Sequence, residues 1–120
     1  CISAARRFTS RTLERWGVAD REPDVAVVVS ELLSNALRHG LRAPVCSMGR
    51  PIRLGLVYAG PAVVCAVADP SDEMPVPREP CWLDESGRGL HVIASLSDKW
   101  GSCSAPGRPG KVVWATFATA

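Results

Sequence analysis

Apolar residues recur at helical spacing through Asp24 to Gly40, DVAVVVSELLSNALRHG, at Val25, Val28, Val29, Leu32, Leu33, Ala36 and Leu37. The spacing predicts an amphipathic helix, with Pro23 and Asp24 at its start and Gly40 where a left-handed cap would stand. A first amphipathic pattern runs from Ala4 to Trp16, with Ala5, Phe8, Thr12 and Trp16 on one side. Arg6, Arg7, Arg11 and Arg15 populate the rest of that helix, and Gly17 ends it. They read either as a solvated face or as a docking surface for an acidic partner. After Gly40 the period is lost, and Leu41 to Pro51, with Pro44, Ser47, Gly49 and Pro51, reads as a loop.

The period then changes to two. Ile52 to Ala59 alternates, with Ile52, Leu54, Leu56 and Tyr58 on one face, while Ala62 to Asp69 is apolar on both faces, as in a central strand. Gly60-Pro61 joins them as a tight hairpin. Pro70 to Ser86 is irregular, rich in proline and carboxylates, and a stretch that long predicts a lid or binding loop. Ser86-Gly87-Arg88-Gly89-Leu90 opens a third helix that runs to about Leu96. Asp98 to Ser104 and Lys111 to Ala118 form a terminal hairpin around the turn SAPGRPG. These elements predict an α/β protein of the α+β type. It is a two-layer sandwich, with a mixed, mostly antiparallel sheet and helices packed on one face.

Composition narrows the classes. A chain of 120 residues is one domain with a core of its own. Fourteen basic residues against twelve acidic ones leave a net charge of +2, and the arginines are scattered, so no direct nucleic-acid partner is expected. The longest apolar runs, such as Ala62 to Ala68, have strand length rather than membrane-spanning length. The amino end reads ARRF and then turns polar, unlike a secretory leader, and a cytoplasmic protein is expected. The first residue is Cys1 rather than Met, which fits a trimmed chain or a start inside a longer protein. The five cysteines nowhere form C-x-x-C and make no zinc pattern with His39 and His91, so free thiols are expected, with Cys65 a small buried hydrophobe. The two histidines read as helix-surface or packing residues.

Three places carry candidate chemistry. At about 100° per residue, Glu31, Asn35 and Arg38 stack on one side of the second helix, away from its apolar stripe. A carboxylate, an amide and a guanidinium in line suit a ligand-facing edge; the plainer reading is a polar face short of charge. Asp69 closes a buried apolar strand, where a carboxylate is costly unless something donates to it. It is either a turn former before Pro70 or a ligand acceptor at the mouth of a pocket. Gly87 and Gly89 at a helix start let backbone N–H groups approach an anion, although many helix starts carry glycine for loop geometry alone.

Taken in order, these segments resemble the GHKL, or Bergerat-fold, ATPases. The shared features are Glu31-x-x-x-Asn35 on a helix, Asp69 at a strand end, a lid-like loop, Gly87-x-Gly89-Leu90 at a helix start, and Gly110-Lys111-x-x-Trp114 on a strand. Within that superfamily SELLSNALRHG, VADPS, GRGLHVIASLSDKWG and GKVVWATF look most like the stand-alone serine kinases that act as anti-sigma factors. The resemblance runs from about Ala4 to Phe117 and implies ATP and Mg2+ as cofactors. It implies Asn35 as the magnesium ligand, Glu31 as the base that accepts the proton of an attacking serine hydroxyl, and Asp69 as the acceptor of the adenine amino group. Gly87 and Gly89 would bring backbone against the phosphates, with Leu90 completing the box, Arg88 pairing with phosphate and Arg38 in a supporting place beside His39.

The chain departs from the superfamily in two respects. The first glycine box usually reads D-x-G-x-G, whereas here it is Asp69-Pro70-Ser71-Asp72-Glu73, so Pro70 stiffens the turn and the Ser71 hydroxyl replaces part of the contact. The superfamily's opening strand should precede Ala4. The implied partners are a sigma factor and an antagonist of the anti-anti-sigma type, whose serine is phosphorylated, and members of that family commonly pair as homodimers. The rivals are a nucleotide-dependent module that sequesters partners without phosphoryl transfer, which the missing glycines favour, and the ATP-binding domain of a larger histidine kinase. A degenerate domain that binds no nucleotide is opposed by the joint presence of Glu31, Asn35, Asp69 and both glycines.

Overall fold

The computed structural model describes residues 2–40, 52–69, 85–104 and 110–119, with the side chains of residues 39, 40 and 85–89 excepted. The expected loop at 41–51, the lid at 70–84 and the turn at 105–109 lie outside the described residues.

The order of elements is α1 (Ile2–Arg15), a single 3₁₀ turn (Ala19–Arg21), α2 (Glu22–Gly40), β1 (Arg53–Ala59), β2 (Ala62–Asp69), α3 (Glu85–Leu96), β3 (Lys99–Ser104) and β4 (Lys111–Ala118). The four strands form one sheet in the order β1-β2-β4-β3, and every described pairing is antiparallel. No parallel pair of the expected mixed sheet falls among the described residues. β2, the strand that reads as central, is flanked on both sides, and Ala59 pairs with Ala62 across the Gly60-Pro61 turn as the sequence predicts.

The helices cover one face of this sheet. Val63, Cys65 and Val67 of β2 and Val113, Ala115 and Phe117 of β4 point into a core completed by Leu13 of α1, by Val25, Val28, Val29, Leu32, Leu33 and Ala36 of α2, and by Leu90 and Ile93 of α3. The alternate residues of β2 and β4 are only half-buried, and Ala118 at the end of β4 is exposed. α2 keeps the apolar stripe read from its sequence with one exception: Leu37, at the stripe's edge and near the helix end, is 36% exposed.

α1 differs in the face it buries. Thr9, Thr12 and Leu13 are its buried residues, whereas Phe8, expected inside, is 49% exposed. The Thr9 hydroxyl donates to the Ala5 carbonyl at 2.8 Å and the Thr12 hydroxyl to the Phe8 carbonyl at 2.7 Å. With their polar atoms satisfied within the helix, both threonines pack as small apolar residues. The buried stripe therefore runs through positions 9, 12 and 13 and leaves Phe8 at its rim.

The helix ends in a Schellman motif. Gly17 takes φ +76°, its N–H donates to the Glu14 carbonyl at 3.0 Å, and the Val18 N–H donates to the Leu13 carbonyl at 2.9 Å. Val18 and Leu13, the hydrophobic pair that accompanies this motif, both lie in the core. Beyond that end, the Trp16 and Tyr58 rings meet at 5.6 Å between centroids, which ties α1 to edge strand β1, and the Arg21 guanidinium lies 5.6 Å from the centre of the Phe117 ring.

Candidate functional site

β2 and β4 run antiparallel in a register that sets Val67 opposite Val113 and Asp69 opposite Lys111. All four side chains project to the helix-covered face, because residues paired across a ladder share a face. Asp69 is 6% exposed and Lys111 2%. The Lys111 Nζ donates to Asp69 Oδ1 at 3.2 Å and stands at the same 3.2 Å from Oδ2, so one ammonium bridges both carboxylate oxygens. Gly110, just before β4, is buried with φ +122°, a backbone state that a side chain would strain, and it places Lys111 at the first strand position.

The pair forms one end of a recess whose remaining walls are Leu32, Asn35 and Ala36 of α2 and Val67 and Val113 of the sheet. Charges held among those apolar side chains are poorly solvated, and each depends on the other. The recess has room for about one water.

Tertiary structure thus brings Asn35 and Asp69, 34 positions apart in the chain, to one recess. Glu31, half-buried, lies one helical turn before Asn35, and Arg38, also half-buried, nearly one turn after it, on the same side of α2. α3 begins at Glu85, so Gly87 and Gly89 fall inside its first turns rather than ahead of them. Leu90 is 5% exposed and belongs to the hydrophobic core. Ser71 lies outside the described residues, and Arg88 is described only in its backbone.

Sequence reading did not single out Lys111 as a site residue. Its signal was present: a carboxylate closing a central strand requires a buried donor, and Lys111 opens an otherwise uncharged strand. Its position opposite Asp69, however, is set by a pairing between strands 42 residues apart.

As a test of fit to magnesium, the described residues contain no group of three or more His, Cys, Asp or Glu side chains placed to hold a metal ion. Asn35 and Glu31 offer hard oxygen donors from a single helix face. That donor set suits a magnesium ion held chiefly by phosphate oxygens and water, and does not suit an all-protein cage. Of the described cysteines, Cys65 is buried and Cys103 exposed, both as free thiols. Burial pushes the Cys65 thiol up from 9.0 to about 12, against the smaller opposing effect of backbone hydrogen bonds. No described helix is long and apolar enough to cross a membrane.

An antiparallel sheet backed by helices, with a buried carboxylate at a strand end and a helix asparagine lining one recess, is an α+β architecture consistent with the GHKL type. The match to known families agrees: the histidine kinase-like ATPase domain matches residues 2–117, nearly the whole chain, and the protein belongs to that family. Among curated proteins, none matches the chain. Membership makes this an ATP-binding, kinase-like ATPase domain.

Proposed function

We propose that the protein is an ATP- and magnesium-dependent serine kinase of the anti-sigma-factor type, cytoplasmic, which binds a sigma factor and phosphorylates a serine of an antagonist protein. The observation that carries the nucleotide site is the meeting of Asn35 with Asp69 on one recess. The resemblance of SELLSNALRHG and GRGLHVIASLSDKWG to that kinase type supports the narrower reading.

Bound ATP with magnesium supplies the phosphoryl group and neutralises charge on its oxygens. Asp69 accepts from the adenine amino group, and Asn35 gives its amide oxygen to the magnesium ion. Glu31, one turn from Asn35, takes the proton that the serine hydroxyl loses as its oxygen bonds to the γ-phosphorus, while the bond from that phosphorus to the bridging oxygen breaks and ADP departs with the electron pair. Gly87, in the first turn of α3, offers its backbone N–H to the phosphates and Gly89, lacking a side chain, leaves room for their approach, with Arg88 and Ser71 adding side-chain contacts and Arg38 a supporting charge. Leu90 holds that helix start against the core. Most of the rate enhancement then comes from positioning and charge stabilisation.

A second reading, a partner-sequestering module that binds nucleotide without transferring phosphate, is favoured by the segment Asp69-Pro70-Ser71-Asp72-Glu73, which lacks the glycines of the usual box. ATP labelled at its γ-phosphate, supplied with the antagonist protein, separates the two. Transfer to a serine of the antagonist, lost in Glu31→Gln while ATP binding persists, supports the kinase. Tight ATP-dependent partner binding with no labelled product supports the module instead.

A further inference from the structure

The buried ion pair presents two neighbouring hydrogen-bonding functions to one recess. The Asp69 carboxylate only accepts, with about four lone-pair sites on its two oxygens; the Lys111 ammonium only donates, with three N–H groups. The two contacts at 3.2 Å engage at most two of those N–H groups, leaving one donor for a ligand. The edge of adenine carries the matching pair, an amino donor beside the N1 acceptor. A base edge laid on the pair satisfies both functions at once while the ion pair itself persists.

We propose that Lys111 is a second base-reading residue, its ammonium donating to adenine N1 while Asp69 accepts from the adjacent amino group. The inference rests on the nucleotide-binding reading above and adds to it a specificity determinant on β4. Three observations support it. Lys111 lines the same recess as Asn35 and Asp69. It is 2% exposed and so lacks the solvent that ordinarily surrounds a lysine head group. Its position is held both by the strand register opposite Asp69 and by Gly110 at φ +122°. A site with a buried, charged donor rejects a ligand that lacks the acceptor, because the donor then loses water and gains nothing.

The test compares ATP with its 1-deaza analogue, in which N1 is replaced by C–H and the amino group is kept. Calorimetric titration with magnesium is run on the full chain and on Lys111→Met. The wild type is expected to bind the analogue about ten- to a hundredfold more weakly than ATP, the range for a hydrogen bond to a charged group. Lys111→Met is expected to bind ATP more weakly and to lose the discrimination, with the two ligands within about twofold of each other. Equal binding of ATP and analogue by the wild type overturns the role of Lys111 and leaves the nucleotide reading intact. Tighter binding of GTP than of ATP overturns the adenine assignment. Absence of any nucleotide binding by the wild type overturns both readings. The wild-type comparison needs no variant to fold, and Lys111→Gln, which keeps a neutral donor, is expected to retain part of the discrimination.

Discussion

Asp69 and Lys111 stand directly opposite each other on β2 and β4, both buried, with the lysine nitrogen 3.2 Å from each carboxylate oxygen. Desolvation offsets much of the attraction in such a pair, so its presence adds little net stability, while the loss of one partner strands the other. Asp69→Ala is therefore expected to destabilise the fold by about 3–5 kcal/mol, and the double change Asp69→Leu with Lys111→Met to recover most of that loss. Urea unfolding of the three proteins measures it. A single-variant cost below about 1 kcal/mol would show that water reaches the pair.

Asn35 is half-buried on the helix face that meets the recess, and its role is proposed to lie with the ligand rather than the core. Asn35→Ala is expected to unfold within about 0.5 kcal/mol of the wild type, alanine being a good helix former. The same variant should lose the magnesium dependence of ATP binding in calorimetry. Unchanged magnesium dependence would remove Asn35 from the metal.

Cys65 is fully buried, and its thiol is pushed up to about 12 from 9.0, chiefly by desolvation. The folded state holds the proton to higher pH than the unfolded state does. The contribution is thus complete below pH 9 and declines as pH rises from 9 towards 12. Over that window the wild type should lose about 1.4 kcal/mol per pH unit from this group alone. Cys65→Ala should lose stability less steeply, and parallel curves for the two proteins would contradict the assignment.

Gly17 closes α1 with φ +76° and carries the turn that delivers Val18 to the core. Gly17→Ala places a Cβ on a left-handed residue and should cost about 1–2 kcal/mol, read as a lowered midpoint in thermal or urea unfolding. Gly17→Asn should cost less, since asparagine tolerates that region. Equal costs for the two would argue against a backbone origin.

Elements whose cause is local were legible along the chain. The period of α2, the hairpin at Gly60-Pro61 and the central character of β2 follow from side-chain spacing along contiguous chain, and each is present. Asp69 stood out for the same reason, as a carboxylate ending an apolar run. Where local pattern was ambiguous, tertiary packing decided. Phe8 is the larger hydrophobe, but the self-bonded hydroxyls of Thr9 and Thr12 let the buried stripe turn past it. Only the fold could decide what answers Asp69. The β2–β4 register joins residues 42 positions apart, and no periodicity along the chain encodes which strand pairs with which. That choice is made by burying Val67 and Val113 together under α2, and the alignment of those two valines carries Lys111 to the carboxylate.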